Sequence, residues 1–293
     1  MDYIVAQYRI RTEGPCADLA ACGLRSFAPF AVEEDLSLDA AMTLRSDTML
    51  RLEDFEPLRE LHRFGFEEDL AECCLYSFDR GYLFTMAKGE ELHIFVKENG
   101  STIIRSNYTH FERIDLSLLR FGLWISFGLC TAPLGAIAIH SSVIVKDDKA
   151  VLCLGESGTG KSTHTRLWRE NIEGAHLLND DSPIIRMVDG VATVFGSPWS
   201  GKTPCYRNLC YPIGGFIRLS QAPHNRIKRL SILNAIGALL PSCPPAFAYD
   251  EQLQDSICDT LSAMIGSVGV YHLECLPDAA AAQLSYNTIL GQR

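Results

Sequence analysis

The chain has 293 residues, of which 47% are hydrophobic and 21% charged, with a formal net charge of −10. That composition suits a globular protein with a substantial core and room for two domains. It argues against a broad nucleic-acid surface, which needs clustered Lys and Arg. The charge is uneven: residues 1–133 hold 13 Lys and Arg against 22 Asp and Glu, and residues 134–293 hold 13 against 14. None of the 11 cysteines forms a C-x-x-C pair and zinc-site spacings are absent, so they read as reduced, mostly buried thiols of a cytoplasmic protein. The N-terminus lacks the basic-then-apolar pattern of a signal peptide.

Residues 3–11 alternate apolar and polar side chains and predict an opening strand. Residues 23–30 predict a loop anchored by Phe27 and Phe30, and residues 49–52 a strand. Leu58, Leu61 and Phe64 share helical spacing, which predicts a short helix over 56–64. Strands at 75–78, 81–86, 91–96 and 101–105 follow, separated by turn residues, with Asn99-Gly100 the clearest hairpin signal. The first 110 residues therefore predict a mostly antiparallel β domain. It shows no chemistry: His62, His93 and His110 are isolated and read as surface or packing residues.

Residues 121–139 are uncharged for 19 residues, about the length of a membrane-spanning helix. Pro133 should stop a helix near Ala132, so the run divides into a buried helix over 116–130 and a strand over 136–140. No membrane span is expected. The helix is expected to pack across the second domain, with the boundary at 133/134. Beyond it, strands are predicted at 137–140, 142–145, 150–154, 176–178, 184–187, 192–195, 214–219 and 268–273. Helices are predicted at 162–169, 227–240, 250–265 and 278–290, and Asp147-Asp148 reads as a hairpin turn.

The chemistry concentrates between a strand and a helix. Gly155-Glu156-Ser157-Gly158-Thr159-Gly160-Lys161-Ser162 fits G-x-x-x-x-G-K-[ST], the phosphate-cradling loop. Its glycines let backbone N–H groups turn inward toward phosphate oxygens, and the following helix adds its unpaired N-terminal donors. Residues 155–163, Thr163 included, are the candidate ATP-binding residues, with Lys161 reaching the β- and γ-phosphates and Ser162 on Mg²⁺. Nineteen residues after Lys161, Asn179-Asp180-Asp181 ends a predicted strand. Paired acids beside such a loop can divide the work, one serving the metal and one accepting a proton from an attacking hydroxyl.

The order of strand, glycine-rich loop, helix, strand and Asp-Asp resembles the HPr serine kinase/phosphorylase family. More distantly it is similar to ATP-dependent phosphoenolpyruvate carboxykinase. His140, the loop 155–162 and Asn179-Asp180-Asp181 carry the resemblance, which covers about residues 135–275. It implies an α/β fold with a P-loop kinase core (134–293), preceded by a smaller β-rich domain (1–133). It further implies Asp180 as catalytic base, Asp181 as its metal-side partner, Lys161 as phosphate ligand and His140 as an active-site residue near the transferred group. The family's glycine-rich signature with a metal-binding glutamate has no counterpart: the stretch here reads Gly196-Ser-Pro-Trp-Ser-Gly-Lys202. In that loop Trp199 either stacks on a substrate or packs as core, and Lys202 can neutralise phosphate. Arg207, Asn208 and Arg218 are weaker candidates for the same role, while Arg166 and Arg169 read as solvated.

The expectation is therefore a Mg-ATP-dependent kinase acting on a hydroxyl, such as a serine of a protein or peptide, or a small metabolite. A nucleotide-gated binding module without turnover and a carboxykinase-like enzyme stay open as alternatives. The sequence leaves the oligomeric state open, a homo-oligomer included.

Overall fold

The computed structural model describes residues 1–33, 37–47, 49–66, 71–108, 115–201 and 203–291; His110 and Lys202 lie outside them. It is a mixed α/β structure built on two large sheets and divided into two compact units. One comprises Met1–Leu134 with Ala246–Gln254, the other Gly135–Pro245 with Asp255–Arg293.

In the first unit the strands are β1 (Asp2–Val5), β2 (Tyr8–Thr12), β3 (Ala31–Val32), β4 (Ala40–Ser46), β5 (Arg59–Phe66), β6 (Ala71–Phe78), β7 (Gly81–Lys88), β8 (Glu91–Glu98) and β9 (Ile103–Ser106). Among the described residues they form one sheet in the order β3-β1-β2-β4-β9-β8-β7-β6-β5. The stretch from β5 to β9 is an antiparallel meander, while β4 pairs in parallel with β2 and β9. Helix α1 (Leu116–Thr131) starts at Asp115, whose carboxylate accepts from the backbone N–H of Ser117 and Leu118, an N-cap that satisfies two otherwise unpaired donors.

Several local expectations change. Residues 3–11 are not one strand but a hairpin, turned at Ala6 and Gln7, whose φ angles are 50° and 66°. Neither is Gly or Asn, so nothing in the residue types signals a turn that needs positive φ twice. Residues 49–52 form no strand; a 3-10 turn covers Leu52–Phe55. The strand β4 occupies a stretch for which the sequence predicts no element. The helix expected at 56–64 is strand β5. Its register slips between Glu60 and His62, and beyond the slip His62, Phe64 and Phe66 recur at the strand's period of two. The bulge puts Leu61 out of phase and so imitates helical spacing. His62 stacks on Tyr249 at 4.4 Å and buried His93 stacks on Tyr108 at 4.7 Å, so both pack rather than ligate.

α1 packs within the first unit, against the expectation that it crosses the second. Phe121 stacks on Phe66 and meets the edge of Phe84. Gly122 lies so close to the Phe95 ring that a Cβ there would overlap it. Phe95 is 2% exposed and has no room to retreat. Gly122→Val should therefore lower stability by about 2 kcal/mol, measurable as a reduced urea midpoint; an unchanged midpoint would contradict the packing. By length and composition, Leu116–Leu134 could cross a membrane, but 67% of its apolar window is buried inside the molecule. The segment 246–254, which a single cut at 133/134 leaves in the second domain, groups with the first unit. There Phe247 sits against Gly128, and Asp250 accepts from the Tyr82 hydroxyl at 2.8 Å.

In the second unit the elements are β10 (Ala136–Ala138), β11 (Ser141–Lys146), β12 (Lys149–Leu154), α2 (Lys161–Asn171), β13 (His176–Asp181), β14 (Ile184–Val188), β15 (Val191–Phe195), β16 (Cys210–Gln221), β17 (Arg226–Arg229), α3 (Ile232–Leu239), α4 (Glu251–Ile265, from Asp255 onward), β18 (Gly269–Cys275) and α5 (Ala279–Ile289). The long β16 joins two groups of strands. Its first residues pair with β15, which continues to β14 and β10; the rest pairs in parallel with β12 and β18. β12 continues through antiparallel β11 to β13. Asp147 and Asp148, with φ of 50° and 55°, make the expected tight turn between β11 and β12. The helix expected over 227–240 begins later, because Ser231 caps α3 and the residues before it form β17. Leu167, Trp168 and Ala282 bring α2 and α5 onto Ile144, Val151, Cys153 and Ile217 of the sheet. That packing fixes where β12 ends and α2 begins, which is where the candidate site lies.

Candidate functional site

Strand β12 is buried from Ala150 to Leu154 and delivers the chain into an exposed turn at Glu156, Ser157 and Gly158. Gly155, Gly158 and Gly160 hold φ at 151°, 81° and 105°, a run that side-chain-bearing residues rarely adopt. At Gly155 space is also closed, since a Cβ would collide with the Thr159 side chain. Gly160 is the N-cap of α2 and offers no side chain to the helix's first N–H groups, which leaves them available to an anion.

Lys161 opens the helix and turns back over the loop. Its Nζ donates to the Gly155 carbonyl at 2.8 Å and the Glu156 carbonyl at 3.2 Å. Burial lowers its pKa below the ordinary lysine value, and Asp181 and Asp180 pull the other way. Ser162 is exposed, and its hydroxyl donates to Asp180 Oδ1 at 3.0 Å. Asp180 is 8% exposed and lies across from Ser142 in the β11–β13 pairing, with Asp181 across from Ser141. Below them the Ser142 and Thr165 hydroxyls meet at 2.9 Å and tie β11 to α2.

His140 precedes β11, its backbone N–H donating to the Ser242 carbonyl at 2.6 Å. Its Nε2 lies 3.6 Å from Asp181 Oδ1. Burial, and then the Lys161 charge, lower the His140 pKa, while Asp181 and Asp180 oppose the shift. The imidazole is thus disposed to stay neutral near pH 7. Asp181 also accepts from the Ser182 hydroxyl at 3.0 Å.

Asn179 is a scaffold residue whose role the sequence does not reveal. It is fully buried, and its amide faces the Ser197 and Trp199 carbonyls at 3.4 and 3.2 Å while its Oδ1 accepts from the Ser182 N–H at 3.1 Å. Gly201 N–H donates to the Asp180 carbonyl at 2.8 Å, and Asp181 bridges to Ser200. The 196–201 segment is therefore clasped onto the strand end that carries the two acids. A polar residue among Leu177, Leu178 and the acids is the signal available in sequence, since a buried amide needs several partners. Trp199 is 4% exposed, so it packs as core rather than stacking on a substrate. Arg218 stands opposite Leu154 on β16 and reaches Glu156 Oε1 at 3.6 Å, which brings a second cation to the loop. Arg207 and Asn208 are exposed, as are Arg166 and Arg169; Arg166 pairs with Glu170 one turn on.

No protein-family model matches this chain, and neither does any curated protein. Among solved structures, the Hpr(Ser) kinase/phosphatase from Coxiella burnetii aligns over 53% of this chain and 97% of its own length, at 13% identity and a TM-score of 0.31. A likeness at that level assigns neither fold family nor activity.

Proposed function

We propose that the second unit is a Mg-ATP-dependent phosphotransferase of P-loop type, acting on a hydroxyl of a protein, peptide or small molecule in the cytoplasm. One observation carries the reading: the Ser162 hydroxyl meets the Asp180 carboxylate at 3.0 Å at the mouth of the glycine-rich loop. Both are hard oxygen donors of the kind Mg²⁺ takes, so Ser162 and Asp180 would hold the ion. No group of three or more His, Cys, Asp or Glu that could hold a metal occurs among the described residues. Mg²⁺ takes one or two carboxylates plus substrate phosphates and does not call for such a group. When bound, the ion supplies charge neutralisation at the β- and γ-oxygens.

The resemblance assigned the base role to Asp180 and the metal side to Asp181. We favour the reverse division. Asp180 is the acid that meets Ser162, and it is nearly buried. Asp181 has a side chain 41% exposed and lies beside His140, where an incoming hydroxyl has access. In this account Lys161 exchanges its loop carbonyls for phosphate oxygens. The acceptor oxygen forms the new P–O bond as the bond to the leaving diphosphate breaks, and its proton passes to Asp181. His140, neutral, orients that carboxylate. Arg218 adds positive charge at the loop.

Lys161→Met should weaken Mg-ATP binding by at least tenfold, by calorimetry, because it removes the half-buried ammonium that this account uses as the loop's phosphate ligand. Incubation with Mg-ATP and serine-bearing peptides or small hydroxyl compounds, read as phosphorylated product, tests the activity. Tight Mg-ATP binding with no transfer to any acceptor would favour a nucleotide-gated binding module, and unchanged binding by Lys161→Met would remove the loop from the account.

A further inference from the structure

A cavity of 540 Å³ opens beside the glycine-rich loop, on the flank away from the two acids. Thr159 and Thr163 form its loop side, while Leu219 near the end of β16, Ala222 just past it, and Leu276 and Pro277 beyond β18 form apolar walls. Lys161, Ser162, Asp180 and His140 are not among its lining residues. Its size is that of a small-molecule pocket. We propose that this cavity receives the base and sugar of the nucleotide whose phosphates occupy the loop, and that it does not select between adenine and guanine. This rests on the phosphate-loop reading and deepens it.

The placement follows from chain geometry. A phosphate chain lying along Gly158–Thr163 has one end at Lys161 and Ser162, and its other end leaves past Thr159 and Thr163 into the cavity. The breadth of recognition follows from the lining. Among the described residues, no Asp, Glu, Lys or Arg lines the cavity. The Gln221 amide is engaged with the Gly158 carbonyl at 3.2 Å, and His164 Nε2 is engaged with Ser285 and Trp168 at 3.0 and 3.3 Å. Burial raises the Cys275 thiol pKa, so it stays a neutral, weak donor. Apolar walls hold a flat ring well but discriminate poorly among polar substituents, whereas strong discrimination needs dedicated hydrogen-bonding groups.

Calorimetric titration of the full chain with Mg-ATP, Mg-GTP and Mg-tripolyphosphate tests this, with Ala222→Phe and Leu276→Trp as two independent ways to fill the cavity. In the wild type, ATP and GTP should bind within about tenfold of each other, and both more tightly than tripolyphosphate. Each variant should lose at least about tenfold for both nucleotides and keep its tripolyphosphate affinity. Wild-type binding of tripolyphosphate as tight as that of ATP would overturn the inference and leave the phosphate loop standing. So would ATP affinity unchanged in both variants, or parallel loss of all three ligands in both. A preference for one of the two above a hundredfold would overturn the lack of selection between adenine and guanine. Failure of the wild type to bind any of the three would instead overturn the phosphate loop itself.

Discussion

Asp181→Asn should abolish transfer while leaving nucleotide binding nearly intact, and Asp180→Asn should do the opposite first. For Asp181→Asn, kcat is expected to fall by on the order of 10²–10⁴, the range for loss of a positioned proton acceptor. Its affinity for Mg-ATP should change by less than about threefold, since Asp181 does not touch Ser162. For Asp180→Asn, the Mg²⁺ dependence of nucleotide binding should weaken. The amide presents one neutral oxygen where a carboxylate faced the Ser162 hydroxyl at 3.0 Å. The pair of outcomes is what decides. If Asp180→Asn kept its Mg-ATP affinity and lost turnover while Asp181→Asn lost metal dependence, the assignment drawn from the family resemblance would replace the one drawn from the hydrogen bond. Binding by calorimetry with and without Mg²⁺, beside single-turnover transfer, separates the cases.

Acid should loosen the second unit through a histidine outside the proposed reaction. His164 is 3% exposed on α2, and its Nε2 sits between the Ser285 hydroxyl at 3.0 Å and the Trp168 indole N–H at 3.3 Å. The indole N–H also donates to the Ser285 hydroxyl, at 2.9 Å, so the three side chains share one buried cluster. Burial brings the His164 pKa down from 6.5 to about 4. The sign follows from linkage. Between pH 6.5 and 4 the unfolded chain binds a proton that the folded chain refuses, so stability is complete above about 6.5 and declines as pH falls toward 4. Lowering from 6.5 to about 4 sets the upper scale at about 3 kcal/mol. Urea titrations at pH 7 and 4.5 should show the loss. In His164→Gln, which keeps a neutral polar group on α2, the loss should be smaller by about 2 kcal/mol. Carboxylates contribute to acid unfolding in both proteins, so the difference between them is the readout. Equal slopes would mean that His164 does not govern the acid response.

The glycine-rich loop and the Asp pair were legible because their chemistry is local. Positive φ at three glycines, a lysine at the start of a helix and two acids at a strand end are each properties of a few consecutive residues. The meander of the first unit was legible for the same reason, its strands being separated by turn residues. The misreadings share one cause. The β5 bulge produced helical spacing inside a strand, the Ala6-Gln7 turn carried no glycine or asparagine, and the split of 227–240 into β17 and α3 depends on β17 pairing with β18. Each is an outcome of strand pairing, with the next strand for β1 and β5 and with the distant β18 for β17, which the propensities of single residues do not encode.

The same division runs through the site. Residue order alone determined that Lys161 and Ser162 begin a helix after a tight glycine turn, because backbone sterics act between neighbours. Which acid Ser162 would meet, that Asn179 would clasp 196–201, that Trp199 would be core and that Arg218 would reach Glu156 were decided by folding. Those contacts join β13 to the start of α2 and to the 196–201 segment, and β16 to the glycine-rich loop, none of them between chain neighbours. The registers of β11 on β13 and of β12 on β16 set them, and the burial of Trp168 and its neighbours beneath the helix holds them.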